Sequence, residues 1–111
     1  MVAEIIEQNK DEIAALCRKH RVRALWVFGS AATDTFDPET SDVDFLVDLG
    51  EYTKDYASRF FSLQRGLADL AQRSVDLVSV GGLGDEDDWF RQKLEATRVA
   101  VYESGRDRVV A

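Results

Sequence analysis

The sequence contains one cysteine, one histidine and one proline, and each scarcity excludes something. A lone cysteine, Cys17, closes no internal disulfide, so the fold has to be held by packing. His20 lies in the run Arg18-Lys19-His20-Arg21, and no second His or Cys stands at metal-ligand spacing from it, so a zinc centre is not expected. His20 reads as a solvated helix-end residue whose charge suits the helix dipole. Cys17, between Leu16 and Arg18, reads as a buried structural thiol. With a single proline, Pro38, and no Pro/Gly-rich tract, nothing marks a linker, and residues 1–111 are expected to form one domain. No run of about 18 apolar residues is present to span a bilayer. The opening Met1-Val2-Ala3-Glu4 turns acidic at once and lacks the basic-then-apolar order of a secretory signal. A cytoplasmic location with no membrane association is the expectation.

Positive charge is also short: 14 Lys and Arg stand against 21 Asp and Glu, for a net charge of −7. Such a surface repels a phosphate backbone, which disfavours general nucleic-acid binding. A nucleotide is not excluded, because a bound cation reverses the local sign of the field. The excess is concentrated in Asp34, Asp37, Glu39, Asp42, Asp44 and Asp48, and again in Asp85-Glu86-Asp87-Asp88. A hydrophobic content of 45% supplies a real core.

Apolar periodicity divides the chain into elements. Val2, Ile6, Ile13 and Leu16 share one helical face, predicting an amphipathic helix over 2–20. Ala24-Leu25-Trp26-Val27-Phe28 is a short strand-forming run that stops at Gly29-Ser30. Residues 31–41, with Pro38 and several Thr and Asp, read as a loop that opens with a helical turn. Residues 43–48 read as a second strand and 75–80 as a third. Tyr56, Phe60, Leu63, Leu67 and Leu70 mark a second amphipathic helix whose stripe belongs to the core. Gly81-Gly82-Leu83-Gly84 lacks dinucleotide-fingerprint spacing and no Walker lysine follows it, so it reads as a connector. A helix over 89–97 and a strand over 98–102 complete the order. Helix, strand, strand, helix, strand, helix, strand does not alternate regularly. It predicts an α/β fold with a mixed sheet of about four strands and helices packed on it.

The chemistry concentrates in Phe28-Gly29-Ser30 and Ser41-Asp42-Val43-Asp44-Phe45. Residues i and i+2 of a strand share a face, so Asp42 and Asp44 project together while Val43, Phe45 and Val47 face the core. Neighbouring carboxylates repel unless a cation lies between them. Hard oxygen donors suit magnesium, which takes one or two carboxylates plus phosphate oxygens and water. Asp76 interrupts the apolar run Val75-Asp76-Leu77-Val78, where an acid is costly unless paired or metal-bound. If its strand lies beside the second, three acids meet at one place, the arrangement that holds two metals about 4 Å apart for phosphoryl transfer. Gly29 lets backbone approach a phosphate, and the Ser30 hydroxyl adds a donor.

Gly-Ser at a strand end, Asp-x-Asp opening the next strand and a later Asp on a third resemble the DNA polymerase β-type nucleotidyltransferases. The likeness is greatest to their minimal form, the antitoxin members of HEPN/MNT modules. The resemblance extends over nearly the whole chain, to Val99-Ala100-Val101-Tyr102-Glu103. It implies the nucleotidyltransferase fold, with Asp42, Asp44 and Asp76 as catalytic metal ligands and Gly29 and Ser30 at the nucleotide. It also implies Mg2+, ATP or another nucleoside triphosphate as substrate, and transfer of a nucleoside monophosphate. The acceptor it points to is a hydroxyl on a helical HEPN-type protein, a tyrosine of a cognate toxin, which makes this chain an antitoxin. Many members continue Gly-Ser-x-Ala-Arg-Gly, whereas here the run is Gly29-Ser30-Ala31-Ala32-Thr33-Asp34, without the Arg and second Gly.

Two functions of different kinds follow. One is an enzyme that transfers AMP to a protein. A small-molecule acceptor is less favoured, because enzymes of that kind carry an added domain. The other is a binding module in which the acids are inherited and the acidic surface covers a basic partner; the missing Arg-Gly favours it. Either version needs a partner to complete it, and the apolar Trp89, Phe90, Leu94 and Val109-Val110-Ala111 suggest where surface is left for a helical protein or for self-association.

Overall fold

Alternation along three strands decides what this sheet covers. The computed structural model describes residues 4–32, 37, 42–80, 88–104 and 108–109, with backbone alone for 30, 88–91, 93 and 108–109. Strands β1 (Ala24–Phe28), β2 (Val43–Asp48), β3 (Val75–Ser79), β4 (Val99–Glu103) and β5 (Arg108–Val109) form one sheet in the order β3-β2-β1-β4-β5. β2 and β3 are parallel and the remaining pairs antiparallel, so the sheet is mixed, as the irregular element order predicted. Both β1 and β2 keep their predicted boundaries. β5 was not foreseen: Val109, expected in an uncovered apolar end, pairs with Tyr102, and Val110 and Ala111 lie outside the described residues.

One face of the sheet carries Leu25 and Val27, Val43, Phe45 and Val47, and Val75 and Leu77, all buried. Helices α1 (Glu4–Gln8), α2 (Lys10–Lys19) and α3 (Tyr56–Ala71) cover it with Ile6, Ile13, Ala14, Cys17, Leu63, Leu67 and Ala71. The stripe predicted on α3 is core: Leu63 and Leu67 are fully buried, and Tyr56, Phe60 and Leu70 pack at its margin. The opposite face carries Phe28 and Leu46, over which Leu94 of α4 (Asp88–Thr97) closes, with Trp26 and Val78 beside them. The Trp89 and Phe90 side chains and the Gly81–Gly84 connector lie outside the described residues. No described helix is long and apolar enough to cross a membrane.

The single helix expected over 2–20 is broken at Asn9. Its amide Nδ2 donates to the Ile5 carbonyl at 2.9 Å, competing with the backbone for a helical acceptor. Cys17 is wholly buried, and burial pushes its thiol up to about 12, in keeping with a structural role. His20 differs from the expectation of a charged end residue. It is half-buried, and desolvation, with Lys19 and Arg59 nearby, lowers its pKa and favours the neutral ring.

Arg59 ties the two layers together at one end. Its guanidinium donates to the carbonyls of His20 at 2.9 Å, Arg21 at 2.9 Å and Leu49 at 3.2 Å. The first is the C-cap carbonyl of α2, and the second lies in the turn just beyond it, where Arg21 adopts φ 57° and the chain turns back. Replacing Arg59 by Met keeps the stem and removes every donor, leaving these carbonyls short of partners. The expected loss is about 2–3 kcal/mol of unfolding free energy, read from urea melts. Arg59→Lys restores only part, since one ammonium cannot reproduce the fork.

Candidate functional site

The candidate site lies where β1 ends and β2 and β3 begin. Phe28 stands opposite Asp44, and Asp44 stands opposite Asp76 in the parallel ladder. Because facing residues of adjacent strands project to the same side, Asp44 and Asp76 are neighbours on the α4 face, one row beyond Trp26, Leu46 and Val78. Asp42 precedes β2 by one residue and is exposed at its mouth, while Asp44 is half-buried. The expected division of β2 holds: Val43, Phe45 and Val47 face the core and Asp44 faces away.

Asp76 is also exposed, because β3 is the edge strand of the sheet. The reasoning that made it costly, an acid inside a buried strand, is therefore not what distinguishes it. Its register opposite Asp44 does. Asp48, another member of the acidic cluster, accepts the Gly50 N–H at 2.9 Å and so serves the turn after β2.

Gly29 follows β1 with φ 68° and opens the short 3-10 turn Gly29–Ala32. A Cβ built on it would lie 2.9 Å from Oδ2 of Asp44. Only a residue without a side chain lets the carboxylate of Asp44 sit against this backbone. The Gly29 N–H donates to Thr97 Oγ1 at 3.1 Å, at the last residue of α4. That amide is thus directed at Thr97, and any phosphate donors of the Gly-Ser loop come from the residues after it. Nothing in the sequence singled out Thr97. A polar residue closing a helix before a strand is common, and its reach to Gly29 exists only once β4 pairs with β1. The Ser30 side chain, Ser41 and Asp34 lie outside the described residues.

Among the described residues no group of three His, Cys, Asp or Glu side chains forms a ready metal cage. Asp44 and Asp76 are adjacent, with Asp42 at the rim, so the arrangement is open. The donor set is all oxygen, and magnesium needs only one or two carboxylates, completing its shell with water and substrate phosphate. By donor chemistry these residues fit a hard divalent cation, in an open arrangement rather than a preformed cage.

The model of the nucleotidyltransferase domain matches residues 11–107. No curated protein matches the chain. Among solved structures, one described as a minimal nucleotidyltransferase is 28% identical with a TM-score of 0.67, covering 89% of this chain and 95% of that one. A toxin–antitoxin crystal structure with AMP-PNP is 20% identical with a TM-score of 0.65, over 89% of this chain and 77% of that one. A tri-AMPylated HEPN toxin in complex with an MNT antitoxin, from Shewanella oneidensis, gives 18% identity and a TM-score of 0.62 over 92% and 76%. The likenesses at 20% and 18% identity carry the fold alone; the family rests on the match over residues 11–107, which is most of the chain. By that match the chain belongs to the nucleotidyltransferase domain family.

Proposed function

We propose that this protein is a single-domain, magnesium-dependent nucleotidyltransferase that transfers AMP from ATP to a hydroxyl of a helical HEPN-type protein, and so acts as an antitoxin in the cytoplasm. The observation that carries the reading is the register of Asp44 with Asp76 beside Gly29. The likeness to a tri-AMPylated HEPN toxin bound to its MNT antitoxin supports the acceptor class.

The acceptor hydroxyl gives up its proton to solvent as its oxygen bonds to the α-phosphorus, while the bond to the bridging oxygen breaks and pyrophosphate leaves with that oxygen. Asp42 and Asp44 would hold the divalent cation, and Asp76 would provide the third carboxylate on the open edge. When bound, that cation neutralises triphosphate charge and polarises the reacting oxygens. The Gly29–Ser30 loop orients the triphosphate against Asp44, and orientation supplies much of the rate.

A second reading has the same fold neutralise its partner by contact alone. It is favoured by Ala32-Thr33-Asp34 after Gly29-Ser30, where many family members carry Ala-Arg-Gly. Incubation with [α-32P]ATP, magnesium and the product of the neighbouring gene separates the two. Label on the partner is expected. A stable complex that never takes label means binding alone, and neither label nor complex overturns the antitoxin role.

A further inference from the structure

We infer that Thr97 is a positioning residue for nucleotidyl transfer: its hydroxyl oxygen fixes the Gly29 peptide and thereby the spacing between the Gly-Ser loop and Asp44. This inference rests on the proposed function and extends it to an element outside the recognised motif.

Three observations converge. The Thr97 Oγ1 accepts the Gly29 N–H at 3.1 Å across 68 residues of sequence. Gly29 sits at φ 68°, with its Cα so near Asp44 that a Cβ would meet Oδ2 at 2.9 Å. α4 is itself anchored, because Leu94 is buried against Phe28 and Leu46, the residues flanking this corner of the sheet. Immediately after Thr97 the chain enters β4, where Val99 pairs with Val27. Thr97 is thus held from both sides, by α4 packing before it and by the ladder after it.

A left-handed residue has several ways to turn its flanking peptides, and glycine restricts none of them. The hydrogen bond from Gly29 selects one. It directs the N–H at the end of α4 and sets the direction in which the loop leaves β1. Losing it leaves the carboxylate of Asp44 and the loop free to drift relative to each other. A misplacement of about 1 Å costs on the order of 100-fold when geometry limits the rate.

The test compares Thr97→Val, which keeps the shape and removes the acceptor, with Thr97→Ser, which keeps the acceptor and removes the methyl. Thermal melts establish that both are folded. Amide exchange at Gly29, followed by NMR, reads the hydrogen bond without reference to activity. Steady-state transfer and MgATP titration read its consequence. Thr97→Val is expected to expose the Gly29 amide and to lower kcat/KM for MgATP by about tenfold or more, with Thr97→Ser within about twofold of the parent. Parental kcat/KM in Thr97→Val despite an exposed Gly29 amide overturns the inference. Equal defects in the two variants also overturn it, since packing of the methyl then accounts for them. If the parent protein itself neither binds MgATP nor transfers AMP, the proposed function fails first, and the inference fails with it.

Discussion

The double variant Asp42→Asn, Asp44→Asn is expected to keep its fold and to lose the proposed magnesium-dependent ATP binding. The fold survives because β2 is held by its other face, where Val43, Phe45 and Val47 are almost wholly buried. Asn preserves the shape of both side chains and some of their hydrogen-bonding capacity. What it removes is two full negative charges at the strand's mouth, one exposed and one against Gly29. A neutral amide is a weak partner for magnesium, and without the cation the triphosphate meets a protein of net charge −7. AMP transfer is expected to fall on the order of 1,000-fold, equivalent to about 4 kcal/mol of transition-state stabilisation. Affinity for MgATP by calorimetry should fall by about 100-fold or more. The melting temperature in the absence of metal should stay level or rise, because like charge is removed from a mouth that also carries Asp76. Unchanged nucleotide affinity in the folded variant would remove Asp42 and Asp44 from the site.

Different parts of this molecule were legible in the sequence for different physical reasons. β1 and β2 were readable to the residue because their apolar runs end in Gly29-Ser30 and in an acid, chemistry that stops a strand. α3 was readable because its stripe of Tyr56, Phe60, Leu63, Leu67 and Leu70 has no meaning outside a helix packed on one side. The family was readable because Gly-Ser and Asp-x-Asp at that spacing form a pattern of high information over few residues. The pairing of β3 beside β2 could only be supposed, since parallel register is set by the crossover through α3 and leaves no local mark. The break at Asn9 was missed because periodicity continues across it; the competing bond to Ile5 depends on a side-chain rotamer. β5 was missed because two residues carry no period at all. Asp76 was singled out for the wrong reason: its strand looks buried by composition, and only the sheet order makes it an exposed edge.

Gly29→Ala should be the most informative substitution in the Gly-Ser loop, because it acts on stability and on the site through separate routes. At φ 68° an L-residue is strained, at a cost of about 1–2 kcal/mol. The new methyl also has no room, since its carbon would approach Oδ2 of Asp44 to 2.9 Å. Either the carboxylate swings away from its neighbour Asp76 or the loop lifts off β2. Both outcomes disturb the groups proposed to hold cation and triphosphate, so transfer should fall by about 100-fold. Gly50→Ala isolates the first route. Gly50 has φ 80°, and a Cβ there would meet the flexible side chain of Arg23, whose Cδ is nearest at 3.0 Å. It should lose comparable stability in a urea melt while retaining transfer within about twofold. If Gly29→Ala behaves like Gly50→Ala, losing stability but not transfer, then the contact between Gly29 and Asp44 is a matter of folding and the Gly-Ser loop has to be dropped from the site. If Gly29→Ala loses transfer while MgATP still binds with parental affinity, the loop acts on the orientation of the reacting phosphate rather than on its capture.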